Sequence, residues 1–132
     1  MRLAKEIQSR AAKINKIMPI YLELNLSGEV TKHGWQVKSK DQKVQFTNDV
    51  KRILELEYLE VKGLMTMAPY SLDPENSREY FIRLRSIRDQ LVEECTRINR
   101  LGLSMGMSSD YEVAIEEGAT ALRIGTAIVG VR

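Results

Sequence analysis

Residues 103–130 read LSMGMSSDYEVAIEEGATALRIGTAIVG. The spacing predicts three units in order. LGLSMGM, 101–107, is an apolar strand, SDYEVAIEEG, 109–118, is a short helix, and TALRIGTAIVG, 120–130, is a second strand running into a turn. Ser109 and Glu112 have the spacing of a capping box, and Gly118 stands where a glycine ends a helix. Two strands joined by a helix run parallel, because the crossover back to the same end of a sheet needs that length of chain.

Upstream, the same unit repeats. Leu3, Ile7, Ala11 and Ile14 recur at helical spacing over 1–17, with Pro19 as the stop, and IYLELNL, 20–26, suits a strand. SGEVTKHGWQVKSK, 27–40, is a polar loop, and Val44, Val50, Ile53 and Leu54 predict a second helix over 41–57. LEVKGLMTMAP, 59–69, reads as a second buried strand. In YSLDPENSREY, 70–80, Asp73 caps a helix with Pro74 at its first position. The longest helix carries Phe81, Leu84, Ile87, Leu91, Cys95 and Ile98 as one apolar stripe, with Arg83, Arg88 and Arg97 on a solvated face. Helix and strand alternate about four times, which implies an α/β fold: a parallel sheet covered by helices.

With 132 residues, 43% of them hydrophobic, the chain makes a single domain, 1–132. Charges of both signs are interspersed, the formal net charge is +2, and there are two phenylalanines, so no basic aromatic surface for nucleic acid is expected. The single Cys95 reads as a small buried hydrophobe in a reducing, cytoplasmic setting. No apolar run approaches the roughly 20 residues of a membrane span, and MRLAKEIQSR has no hydrophobic signal region, so neither a membrane nor export is expected.

The end of the strand at Met107, followed by Ser108 and Ser109 and then a helix, aims free N–H groups and a positive dipole end at whatever lies above it. The next strand ends in Gly125 and Thr126, where a missing side chain admits a ligand and a hydroxyl adds a donor. Two adjacent strand ends of this kind share one phosphate, as in eight-stranded parallel barrels whose phosphate sites lie after the last two strands. Ordinary capping by Ser108 or Ser109 and an ordinary turn at Gly125 account for the same residues. Arg123 shares the face of Gly125 and reaches toward a ring attached to the phosphate, or else forms a salt bridge to a neighbouring element.

GLMTMAP at 63–69, LSMGMSSDYEVAI at 103–115 and RIGTAIVGVR at 123–132 resemble the signatures of the pyridoxal phosphate homeostasis protein family, also called the YggS or proline synthase co-transcribed family. LNLSGEVTKHGW at 24–35 is similar to a fourth family segment, an Asn-containing strand followed by a Glu-x-x-Lys-x-Gly loop. The resemblance implies a barrel like the N-terminal domain of alanine racemase, binding pyridoxal 5′-phosphate (PLP). It implies that Ser108, Gly125 and Thr126 hold the phosphate, helped by N–H groups near Met107 and Ser109, and that Arg123 faces the pyridine nitrogen. Such proteins are regarded as carriers and regulators of the cofactor, so no enzyme is expected.

The family chain is longer, and the motifs here match its C-terminal half, about four strands of a TIM barrel. The strand bearing the Schiff-base lysine has no counterpart, and Lys32 and Lys62 match no cofactor lysine. The resemblance therefore implies a truncated, split or engineered half that binds PLP noncovalently at most, with phosphate or sulfate able to substitute. Half a parallel barrel has two open edges, IYLELNL and ALRIGTAIV. A second chain, either another copy in a homodimer or the missing N-terminal half, completes a closed eight-stranded barrel; closure as a smaller flattened sheet is the other option. The rival readings are a structural or designed half-barrel without ligand, and an enzyme built on Asn25, Glu29 and His33.

Overall fold

The computed structural model describes residues 1–130; the last two residues of the RIGTAIVGVR motif lie outside the described residues. The elements are α1 (Arg2–Lys13), β1 (Met18–Glu23), α2 (Lys40–Ile53), β2 (Leu59–Met65), a 3-10 turn (Pro74–Ser77), α3 (Arg78–Glu94), β3 (Gly102–Met107), α4 (Tyr111–Glu116), β4 (Ala121–Arg123) and α5 (Thr126–Val129). The four strands pair in parallel in the order β1-β2-β3-β4. A sheet that reversed its strand order would be doubly wound. Adding each strand beside the last, through crossovers of one hand, instead sets the helices on one side, as in a barrel wall. The sheet is a four-stranded arc and is not closed.

The helices form for the reasons their sequences suggest, with corrections in register. In α1, Ala4 and Ala11 are buried and Ile7 packs beside them, whereas Leu3 and Ile14 are exposed. The inward stripe is rotated from the expected one because small side chains let the helix lie close to β1 and β2. The helix ends at Lys13, before Asn15 adopts φ +49°, and Pro19 lies inside β1 rather than stopping α1. Proline is tolerated in an edge strand, whose outward N–H has no ladder partner.

Beyond β1, Leu24 pairs with Trp35: the Trp35 N–H donates to the Glu23 carbonyl at 2.9 Å, and the Asn25 N–H donates to the Trp35 carbonyl at 3.0 Å. The 27–40 loop thus folds back along the upper edge of the strand and covers part of it. A capping box opens α2, with the Ser39 hydroxyl accepting from the Gln42 N–H and the Gln42 side chain accepting from the Ser39 N–H.

Asp73 accepts from the Glu75 N–H at 3.0 Å with Pro74 first in the turn, so the expected cap is present, but on the 3-10 turn that leads into α3. Phe81, Leu84 and Leu91 are buried as the stripe requires. The helix ends at Glu94, so Cys95 and Ile98 are buried from the following loop. Phe46, Val50 and Ile53 of α2 join Phe81 and Leu84 over Leu64, Leu103 and Met105 in one core. Truncating either buried phenylalanine to alanine would cost about 3–5 kcal/mol.

Two expectations for the last units are corrected. The expected strand 120–130 ends at Arg123, because Gly125 (φ −118°, ψ −86°) turns the chain out of the sheet and Thr126–Val129 form a helical turn. The Ser109–Glu112 capping box does not form, since α4 starts after Asp110. Gly118 has φ +88° at the end of α4, as a terminating glycine should.

Candidate functional site

The carboxyl ends of the strands are tied together by side chains, and the ties run from one strand to the next. After β1, the buried Asn25 side chain donates to the carbonyls of Glu29 (2.8 Å) and Lys32 (3.1 Å) and accepts from the Gly28 N–H (2.7 Å) and the Ser27 hydroxyl (3.2 Å). Its hydrogen-bonding capacity is used in shaping the 25–35 loop. After β2, the fully buried Thr66 donates its hydroxyl to the Leu24 carbonyl at 2.8 Å, and its N–H donates to the Ser104 carbonyl at 3.2 Å.

From β4, Arg123 reaches back across this line. One terminal nitrogen donates to the Ser104 carbonyl (3.0 Å) and hydroxyl (2.8 Å), and the other to the Thr66 carbonyl (2.8 Å). Among the described residues three of its five N–H groups are engaged. Burial pushes the guanidinium below its ordinary value, and the charges of Asp110 and Glu23 oppose that shift. The expected alternatives for Arg123, a ligand-facing group or a salt bridge, are joined by a third: it staples the ends of β2, β3 and β4.

Ser108 stands above β3 with its hydroxyl accepting from the N–H groups of Gly125 (3.3 Å) and Ala127 (3.2 Å). Ser108, Gly125 and the start of α5 are therefore together, and Thr126 is exposed within that start. A Cβ added at Gly125 would meet nothing within 4 Å among the described residues, so they leave the space beside it open. Ser109 is exposed on the same turn. Met107 differs from expectation: its N–H donates to Asp110 Oδ1 at 2.7 Å and is committed to the turn. The donors that converge on one point are those of Gly125 and Ala127, with a serine oxygen between them.

Asp110 is the residue that sequence reasoning missed here. It is buried, and its other oxygen accepts from the buried Ser77 hydroxyl at 2.9 Å. Thr66 and Ser104 were also missed, and their signal is a hydroxyl near the end of an apolar strand. The lysines are engaged as well. Lys32 Nζ pairs with Glu29 and donates to the Met67 carbonyl at 3.4 Å, and Lys62 pairs with Glu60 at 2.5 Å.

His33 is exposed and borders a groove of about 510 Å³ along the outer flank of β1, with Ile7, Ile20, Tyr21 and Trp35. None of the phosphate-side residues lines it. Among the described residues no group of three or more His, Cys, Asp or Glu is placed to hold a metal ion, and no helix is long and apolar enough to cross a membrane.

A parallel sheet in sequential order, with small and hydroxyl-bearing residues gathered at its carboxyl end, defines a barrel-type α/β protein with a candidate anion cradle. Residues 1–132 match the family described as alanine racemase, N-terminal domain, and the chain belongs to that family. It is 46% identical over 130 residues to the pyridoxal phosphate homeostasis protein of Aquifex aeolicus (strain VF5), covering 98% of this chain and 54% of that one. With the protein of the same name from Synechocystis sp. it shares 30% over 132 residues, or 100% and 57% of the two chains.

Among solved structures, PipY of Synechococcus elongatus PCC7942 superposes with a TM-score of 0.85 without PLP and 0.83 with PLP bound, at 27% and 26% identity. Each comparison covers 98% of this chain and 57% of PipY. Alanine racemase of Clostridium difficile 630 shares the fold at 17% identity, with a TM-score of 0.72 over 99% of this chain and 32% of that one. The chain spans about half the length of the curated relatives it matches.

Proposed function

We propose that this chain supplies the phosphate side of a PLP site in a cofactor-homeostasis protein, binding the cofactor noncovalently and carrying it rather than catalysing a reaction. The observation that carries the reading is the convergence of the Gly125 and Ala127 N–H groups on the Ser108 hydroxyl at the open end of the sheet. Both N–H groups are taken by Ser108, as the Met107 N–H is by Asp110, but their acceptor is a half-buried hydroxyl rather than a buried carboxylate; a phosphate oxygen can replace it, with Ser108 turning to donate its own O–H to the dianion. The site fits such a group: the described residues leave the space beside Gly125 open, and Thr126 adds an exposed hydroxyl.

In this reading Ser108, Gly125 and Thr126 hold the phosphate, with Ser109 at the rim. Met107 contributes by setting the turn, since its own N–H is committed to Asp110. Arg123 is assigned to the pyridine nitrogen: a guanidinium has only donors, so it offers no acceptor to a protonated ring. When bound, the cofactor supplies an electron sink, and an arginine so placed weakens it, in keeping with carriage. The engaged Lys32 and Lys62 favour noncovalent binding, and inorganic phosphate or sulfate is expected to compete. A single buried Cys95 suits a reducing cytoplasm.

The open edges of the arc carry the proposal about partners. A second copy, or the other half of the barrel, pairs along them and completes eight strands. We expect light scattering to show a dimer of the isolated chain; a monomer that stays folded and soluble would refute edge pairing.

The test of the site is a PLP titration followed by borohydride reduction. The wild-type chain should bind without being trapped. Arg123→Ala should weaken PLP about tenfold or more, the scale of a lost charge-assisted hydrogen bond. Thr126→Val should weaken both PLP and inorganic phosphate. Unchanged affinities for both ligands in both variants would overturn the assignment.

A further inference from the structure

The turn that presents Ser108 is not held by its own neighbours alone. Asp110 Oδ1 accepts from the Met107 N–H at 2.7 Å, and the Asp110 N–H donates to the Met107 carbonyl at 3.1 Å, so this one residue closes the turn from both sides. Its second oxygen accepts from the Ser77 hydroxyl at 2.9 Å, 33 positions away in sequence. Both side chains are buried, Ser77 to 2% exposure and Asp110 to 6%.

The next residue extends the clamp to the far end of α4. Arg78 bonds Glu116 at 2.6 Å and Glu117 at 2.7 Å, as well as Glu75 in the 3-10 turn at 2.7 Å. Arg85 adds a contact to Glu117 at 2.8 Å. The short helix after β3 is therefore gripped at its start and its finish by the beginning of α3.

We propose that Ser77 and Asp110 are positioning residues for the candidate phosphate site: their buried bond sets where Ser108 stands relative to the Gly125 and Ala127 N–H groups. Neither residue touches the ligand in this arrangement. Asp110 is fixed on β3's side of the turn and Ser77 on the helix layer, so the bond transmits the position of α3 to the rim of the sheet. The inference rests on the reading of Ser108 as a phosphate-side hydroxyl, yet its geometry is measurable without any ligand.

The experiment is residue-resolved amide exchange on the wild-type chain, Ser77→Ala, Asp110→Ala and Asp110→Asn, with PLP, pyridoxal and inorganic phosphate titrations on the same samples. Ser77→Ala should speed exchange at Gly125 and Ala127 by about fivefold, and Asp110→Ala by about tenfold or more, the range that loss of one and of several hydrogen bonds gives. The Leu64 amide in β2 should be unaffected. Asp110→Asn keeps an acceptor for Met107 and a partner for Ser77, so it should restore near-wild-type exchange. Affinity for PLP and phosphate should fall in the alanine variants while that for pyridoxal does not change.

Unchanged exchange at Gly125 and Ala127 in Ser77→Ala would overturn the proposal, and so would equal acceleration at Leu64, which would mean general loosening. If Asp110→Ala does not fold, Ser77→Ala and Asp110→Asn decide. A wild-type chain that fails to bind PLP would refute the proposed function, and the exchange rates would still judge the clamp.

Discussion

Substituting alanine for Gly106 separates two contributions that usually come together. Gly106 has φ +92°, and a Cβ there would lie 2.5 Å from the Ala114 Cβ and 3.0 Å from a methyl of Leu122. Gly118 has nearly the same φ, +88°, but a Cβ there would meet nothing within 4 Å. The left-handed backbone costs an L-residue about 1–2 kcal/mol at either site. Only at Gly106 is there a second cost, of about 1–3 kcal/mol, for forcing a methyl into packed atoms. Ala114 belongs to α4, which cannot withdraw without straining the Ser77 and Arg78 attachments.

Gly106→Ala should therefore lose about 2–5 kcal/mol and Gly118→Ala about 1–2 kcal/mol. For a chain of this size that is roughly 3–5 °C of Tm per kcal/mol. Urea titration monitored by the single Trp35 reads both variants against wild type. Equal losses at the two positions would show that α4 does not press on β3 as closely as the Gly106 geometry requires.

Two further predictions concern titrating groups. Burial pushes the Cys95 thiol up, with Glu94 adding to the shift and Lys51 opposing it. Alkylation of the folded chain near pH 8 should be far slower than in urea; equal rates by mass spectrometry would mean that the α3–β3 loop opens freely. Glu29 is held below the usual carboxylate range, first by its hydrogen bond to Lys32 and then by that to Ser27. A lowered folded value means that its contribution to the 25–35 loop is complete above the ordinary carboxylate range and lost as pH falls through the lowered value. A carboxyl NMR titration should find a midpoint below that of an exposed glutamate, and Lys32→Ala should raise it. A normal midpoint in the wild-type chain would contradict the pairing.

The parallel arc was legible because its signals are periodic: β2, β3 and α3 are long apolar patterns that admit one reading. Boundaries failed where two physical effects compete. Pro19 ends helices, yet it is equally at home on the outer edge of β1. Leu3 and Ile14 are the larger apolar groups of α1, but close approach favours Ala4 and Ala11. Thr126–Val129 has strand-like composition, and Gly125 turns it away from the sheet. That Ser108 and Gly125 come together was legible from residue type and position, since a serine after a strand and a glycine after the next strand are local features. That the Met107 N–H is already taken could not be read, because it depends on Asp110, whose two bonds join residues 3 and 33 positions apart. Long-range pairings of that kind leave no periodic trace.

Arg123 spans the ends of three strands, and that has a thermodynamic consequence for recognition. A free arginine side chain carries about 2 kcal/mol of rotamer entropy. Here most of that freedom is surrendered when Ser104 and Thr66 engage the guanidinium as the sheet forms. A ligand that reached this guanidinium would meet a group already pointed and already ordered. In the proposed reading, affinity at this rim is thus partly prepared during folding, and a loosened sheet is expected to bind more weakly even with every contact residue intact.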